Sequence, residues 1–84
     1  MASLQYVIDT ICSSLSVNSV YEIFETRLKQ GSFTVAEILS LIQSKDRSLD
    51  VGSAMLIAGA ALGELERSGR LRMERDTVYP TGKK

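Results

Sequence analysis

The chain has no histidine and a single cysteine, Cys12, in 84 residues. One thiol cannot close a disulfide within the chain, and without an imidazole beside it no zinc site of the Cys and His type can be built. The missing histidine also removes the side chain that titrates nearest neutrality. No Ser, Lys or Cys stands beside an evident base, and no glycine-rich phosphate loop of the required spacing occurs. The expectation is a protein that is not an enzyme and that uses no cofactor and no metal. Long apolar runs are also lacking: the longest, Ala54 to Gly63, has ten residues, about half of what a membrane span requires. The stretch "MASLQYVIDTICSSLS" carries Asp9 and no basic leader, unlike a signal peptide. With the lone cysteine, this predicts a soluble cytoplasmic protein without a membrane partner.

An excess of charge of either sign is absent too, since ten basic residues balance ten acidic ones. The chain as a whole therefore lacks the positive field that draws many small proteins to nucleic acid. The distribution is less even than the sum. Residues 1–42 hold two basic and four acidic side chains, whereas residues 43–84 hold eight and six, so any attraction for an anion lies in the second half.

What is present is helical periodicity. Leu4, Val7, Ile8, Ile11, Cys12 and Leu15 recur at three- and four-residue steps and predict a first helix over 3–15. Ser19 and Glu22 have the spacing of a capping box, which predicts a second helix over 20–30 with Val20, Ile23, Phe24, Leu28 and the stem of Arg27 inward and Gly31 as its stop. Thr34 and Glu37 repeat the device for a third helix over 35–43, where Phe33 can staple onto Ile38 and Leu39, Leu41 and Ile42 add to the apolar side. The polar link "SKDRSLD" leads to Asp50, a plausible cap for a fourth helix over 51–68 that Gly69 terminates. Beyond Gly69 the period falls to two. Leu71 and Met73 alternate with Arg70 and Arg72, "ERD" makes a turn, and in "TVYP" Val78 points inward between Thr77 and Tyr79. "TGKK" is a frayed tail.

This order of elements resembles the winged helix-turn-helix superfamily. "ALGELERSGRLRMERDTVYP" looks like the end of a recognition helix followed at once by a wing, and "FTVAEIL" looks like the start of the preceding helix. The likeness covers residues 20–80 and implies a fold that is mainly α with a C-terminal β-hairpin. In that reading residues 1–84 form one domain, with 3–15 as an added N-terminal helix and 81–84 as a tail. It departs from the pattern in two ways. The link has seven residues where a tight helix-turn-helix uses three or four, and the fourth helix opens "VGSAMLIAGAALG", with only Ser53 to offer base edges. A second likeness joins "AGAALGELERSGRL" and "PTG" to a segment of the Golgi phosphoprotein family, which binds phosphoinositide head groups; it spans 25 residues of a much larger fold.

The winged-helix resemblance implies double-stranded DNA as partner and a dimeric transcriptional regulator as function. Arg70, Arg72 and Arg75, with Arg67 one turn earlier, are then the wing's phosphate contacts; the plainer reading is a solvated strand face paired with Glu66, Glu74 and Asp76. Lys45 and Arg47 precede the start of the fourth helix, where free backbone N–H groups favour an anion, although Asp46 and Asp50 oppose it. Gly59 and Gly63 cost about 1 kcal/mol each relative to alanine inside a helix. Close approach of another helix would compensate, from within the domain or from a second copy. The broad stripe on the first helix, Leu4, Tyr6, Val7 and Ile11, either completes the core or forms a homodimer or partner interface. Cys12 on that stripe is read as a small hydrophobe. The alternative function is a winged-helix protein-interaction module that uses the fourth and first helices without DNA. Convergence of the link and wing cations on one face favours DNA; an exposed apolar patch on either helix favours protein.

Overall fold

The computed structural model describes residues 3–11 and 13–81, so Cys12 and the tail residues Gly82, Lys83 and Lys84 lie outside the described residues. Within them the order is α1 (Leu4–Ile11), α2 (Val17–Gln30), β1 (Phe33–Thr34), α3 (Val35–Lys45), α4 (Val51–Arg67), β2 (Leu71–Glu74) and β3 (Thr77–Pro80). The protein is mainly helical with a C-terminal antiparallel hairpin. The helices and the small sheet are compatible with a winged helix.

α1 ends four residues before the predicted boundary. The N–H of Ser13 closes on the carbonyl of Ile8, and the chain then leaves the helix because Asp46 draws it aside. Ser13 Oγ and the N–H of Ser14 both donate to Asp46 Oδ2, at 2.9 and 3.2 Å. Leu15 is still buried, but from the connecting segment.

α2 begins one turn earlier than the Ser19 box predicts. Ser16 is the cap, its Oγ accepting the N–H of Ser19 at 3.1 Å. The earlier start adds Val17 to the face of Val20, Phe24 and Leu28 at helical spacing, and Val17 packs against the core. α3 starts on Thr34 as expected, with the N–H of Glu37 donating to Thr34 Oγ1 at 3.3 Å. Phe33 and Ile38 are both fully packed in the core.

α3 runs two residues past its predicted end, so residues 46–50 form the link. It is an ordered turn. Asp46 Oδ1 also accepts from the N–H and Oγ of Ser48, Leu49 is buried, and the Gln43 side-chain amide donates to the carbonyl of Leu49. Asp50 caps α4 through the N–H of Ser53 at 3.0 Å. At the other end Gly69, with φ 81°, lets its own N–H reach the carbonyl of Glu66 and that of Arg70 reach Leu65, the paired closure that needs a left-handed residue.

The hairpin pairs Leu71 with Pro80, Arg72 with Tyr79, Met73 with Val78 and Glu74 with Thr77, which leaves Arg75 and Asp76 as a two-residue loop. β1 adds to the other side of β3 through Phe33 and Val78 and gives a sheet of order β1-β3-β2. Leu71 and Val78 face inward onto a core built with Phe24, Ile38, Ile42, Ile57 and Leu65.

Candidate interaction surfaces

The predicted nucleic-acid residues fall into separate groups. Arg70, leaving α4, is held by Glu25 of α2 at 2.7 Å. Arg72 pairs with Glu74 two residues on and lies 4.8 Å over the ring of its cross-strand partner Tyr79. Arg67 ends α4, where its charge complements the helix dipole and favours the ionised form of Glu64. Arg75 stands at the hairpin tip, exposed and without an ion pair among the described residues.

Lys45 and Arg47 are exposed at the opposite end of α3 from that tip. The N–H of Val35, the first residue of α3, donates to the carbonyl of Asp76 at 2.9 Å, so the eleven residues of α3 separate Arg75 from Lys45 by ~15 Å. Within α4, fourteen residues take the chain from Ser53 to Arg67, ~21 Å along the axis, with Arg47 before its start and Arg70 beyond its end. Both spans exceed the screening length of about 8 Å at physiological salt, so link and wing do not share one local patch of positive potential.

The anion site expected before α4 is filled by the chain itself. Asp50 accepts the N–H of Ser53, and its hydrogen bonds from Ser53 hold its carboxyl below the usual aspartate range. Ser53 is half-buried beside it. Asp46 is buried nearby with four donors from Ser48, Ser13 and Ser14, which hold it at about 2.

α1 divides cleanly. Leu4 and Val7 are core residues, and Ile11 is half-buried against the core. Leu4 and Val7 are not on a surface, because α1 lies along α4 and spends its stripe there. Glu64 of α4 fixes the contact, with Oε2 accepting the N–H of Leu4 at 2.8 Å and Oε1 accepting the hydroxyl of Tyr21. Burial and this bond raise the Tyr21 phenol to about 12, and the same bond lowers Glu64. Only Tyr6, 62% exposed, remains as a large apolar side chain on the outside of α1.

The outer face of α4 is different. Val51, Met55 and Leu56 are 55%, 55% and 60% exposed, Gly59 is exposed and Gly63 half-buried. A Cβ built at Gly59 or Gly63 meets nothing within 4 Å, so no helix of the domain approaches either glycine closely. The intramolecular explanation for them fails. Between Gly52 and Gly63 this face carries no charged side chain. Sequence periodicity could have found it, since Met55, Leu56, Gly59 and Gly63 lie on the side of the helical wheel away from Ala54, Ile57 and Ala61. The long-range bonds of Asp46 and Glu64 had no local signal, because these partners are 32 and more positions away for Ser13 and Ser14 and 60 for Leu4.

A groove of about 410 Å³ between α2 and α3 runs over Ile23 and Leu41, with Glu22, Arg27 and Lys45 at its rims. Its charges oppose one another: Arg27 is paired with Glu37, donates to Gln30 and lies 5.7 Å over Phe33. Among the described residues no group of His, Cys, Asp and Glu is placed to hold a metal ion, and no helix is long and apolar enough to cross a membrane. No family model matches the chain, and neither does any curated protein or solved structure.

Proposed function

We propose that the chain is a winged-helix module that acts by binding protein through the outward face of α4. In this reading α3 and α4 are the helix-turn-helix pair, β2 and β3 are the wing, and α1 is an added helix that braces α4. One observation carries the reading: Val51, Met55 and Leu56 are more than half exposed on the element that a winged-helix DNA reader lays in the major groove. A base-reading helix needs donors and acceptors there. Clustered apolar side chains meet no such need and are stabilised by leaving water against another apolar surface.

DNA binding is the second reading, and Arg75 supports it. An exposed arginine at a hairpin tip is suited to a phosphate or a narrow minor groove. Arg70 and Arg72 add less, because Glu25 and Glu74 accompany them to any phosphate.

The two readings separate in one experiment. Tagged protein is recovered from its host after nuclease treatment, as wild type, Met55→Asp and Arg75→Ala. Association through α4 predicts nuclease-resistant recovery of a bound protein that Met55→Asp abolishes and Arg75→Ala leaves intact. Recovery that nuclease or Arg75→Ala removes, and that Met55→Asp spares, overturns it in favour of DNA.

A further inference from the structure

The shape of the α4 face specifies its occupant. Gly52, Met55, Leu56, Gly59 and Gly63 share a sector of roughly 100° on the helix. The large side chains lie in the N-terminal half, while the two vacant positions, Gly59 and Gly63, lie towards the C-terminal half with open space above them. Met55 and Gly63 stand four residues on either side of Gly59. A copy of the same helix turned end for end about Gly59 therefore sets a protrusion over a hollow twice. Val51 and Arg67 are eight residues either side of Gly59, so the N-terminal turn of each helix lies level with the C-terminal turn of the other. Antiparallel dipoles favour the same orientation. Parallel pairing in register would set Met55 on Met55 and leave the glycine hollows facing each other empty.

We infer that α4 pairs with α4 of a second copy of this chain, antiparallel across a two-fold axis at Gly59, with Met55 of each copy seated over the partner's Gly63. The inference rests on the reading that this face binds protein, and it names the protein. A contact centred on one helix pair falls at the small end of specific interfaces, so exchange between monomer and dimer belongs in the micromolar range.

Sedimentation equilibrium across about 1–500 μM tests it. The mass of the wild type is expected to double over that range. A Cβ at Gly59 or Gly63 has open space around it, so Gly59→Leu and Gly63→Leu are each expected to keep or raise the melting temperature while remaining a monomer throughout. Met55→Asp is expected to remain monomeric too. Orientation is read from disulfide formation in a Cys12→Ser background: Gly59→Cys lies on the axis and cross-links, whereas Val51→Cys is carried to opposite ends of the pair and does not. Cross-linking of Val51→Cys, alone or together with Gly59→Cys, overturns the antiparallel geometry. A wild type that stays monomeric at every concentration overturns the pairing itself. If such a monomer still captures a protein in a Met55-dependent way, the association reading survives with a different partner; if it captures none, both fall.

Discussion

Arg75 occupies the first position of a two-residue hairpin loop with φ 59°, a left-handed conformation that glycine adopts freely and that costs other L-residues about 1–2 kcal/mol. Arg75→Gly is expected to raise the unfolding free energy by about 0.5–1 kcal/mol after the extra chain entropy of glycine is subtracted; urea denaturation measures it. An unchanged or lower stability would mean that the arginine side chain supports the fold. A strained position that retains an arginine is a place to seek a role for its charge. Asp46 makes the second residue-scale prediction. Its carboxyl is held at about 2 against an ordinary 3.8, and Glu64 is also lowered. A depressed carboxylate contributes stability that is complete above its unfolded value and is lost as pH falls through its folded value. Melting temperature is therefore expected to decline as pH drops from about 4.5 towards 2. Asp46→Asn is expected to be less stable at pH 7 and to show a shallower acid decline.

The elements were legible to different degrees for identifiable reasons. α3 and α4 have caps whose partners are three residues away, so Thr34 and Asp50 could be assigned from spacing alone. α2 has two serines with cap chemistry, and the choice between them turns on whether Val17 is inside the helix, a matter of tertiary packing. The structure places the cap at Ser16. Ser16→Ala is expected to cost about 1 kcal/mol of stability, the usual loss for a cap hydroxyl, and Ser19→Ala distinctly less; thermal melts of the two variants compare them. α1 was overextended because Leu15 continues its apolar period, while the bonds that divert the chain come from Asp46 in another part of the sequence. The hairpin was set by its period-two pattern, with Leu71 and Val78 inward as expected. Pairing of the short "FT" with β3 has no local signature, since two residues cannot establish a period.

At the scale of the whole molecule, charge is dispersed and apolar exposure is concentrated. The sequence counts arginines near the wing correctly, but it cannot show that Glu25, 45 positions from Arg70, returns to meet it. Surface pairs of this kind contribute only up to about 1 kcal/mol, so their importance here is that they place a carboxylate wherever two of the wing arginines could meet phosphate. If duplex binds at all, Arg75 alone predicts a log-log salt slope near minus 0.9 per subunit, whereas three free arginines would give about minus 2.7. Titration of random duplex at several salt concentrations decides between them, and the steeper slope would show that the carboxylates yield. The exposed side of α4 was open to sequence reasoning in principle. It was obscured by its glycines, whose small size suits a buried contact and an exposed one equally until the space above them is known.

Glu64 also imposes an order in time. α1 has eight residues, too few to hold a helix alone in water, and the carboxylate that receives its Leu4 N–H stands 60 positions later. A ribosome adding about 5–20 residues per second releases that partner several seconds after Leu4 has been made. Throughout that interval the apolar stripe of Leu4, Val7 and Ile8 has no α4 to lie on. α1 thus cannot settle until α4 has been made, and the nascent protein passes through a stage in which α1 is available to chaperones.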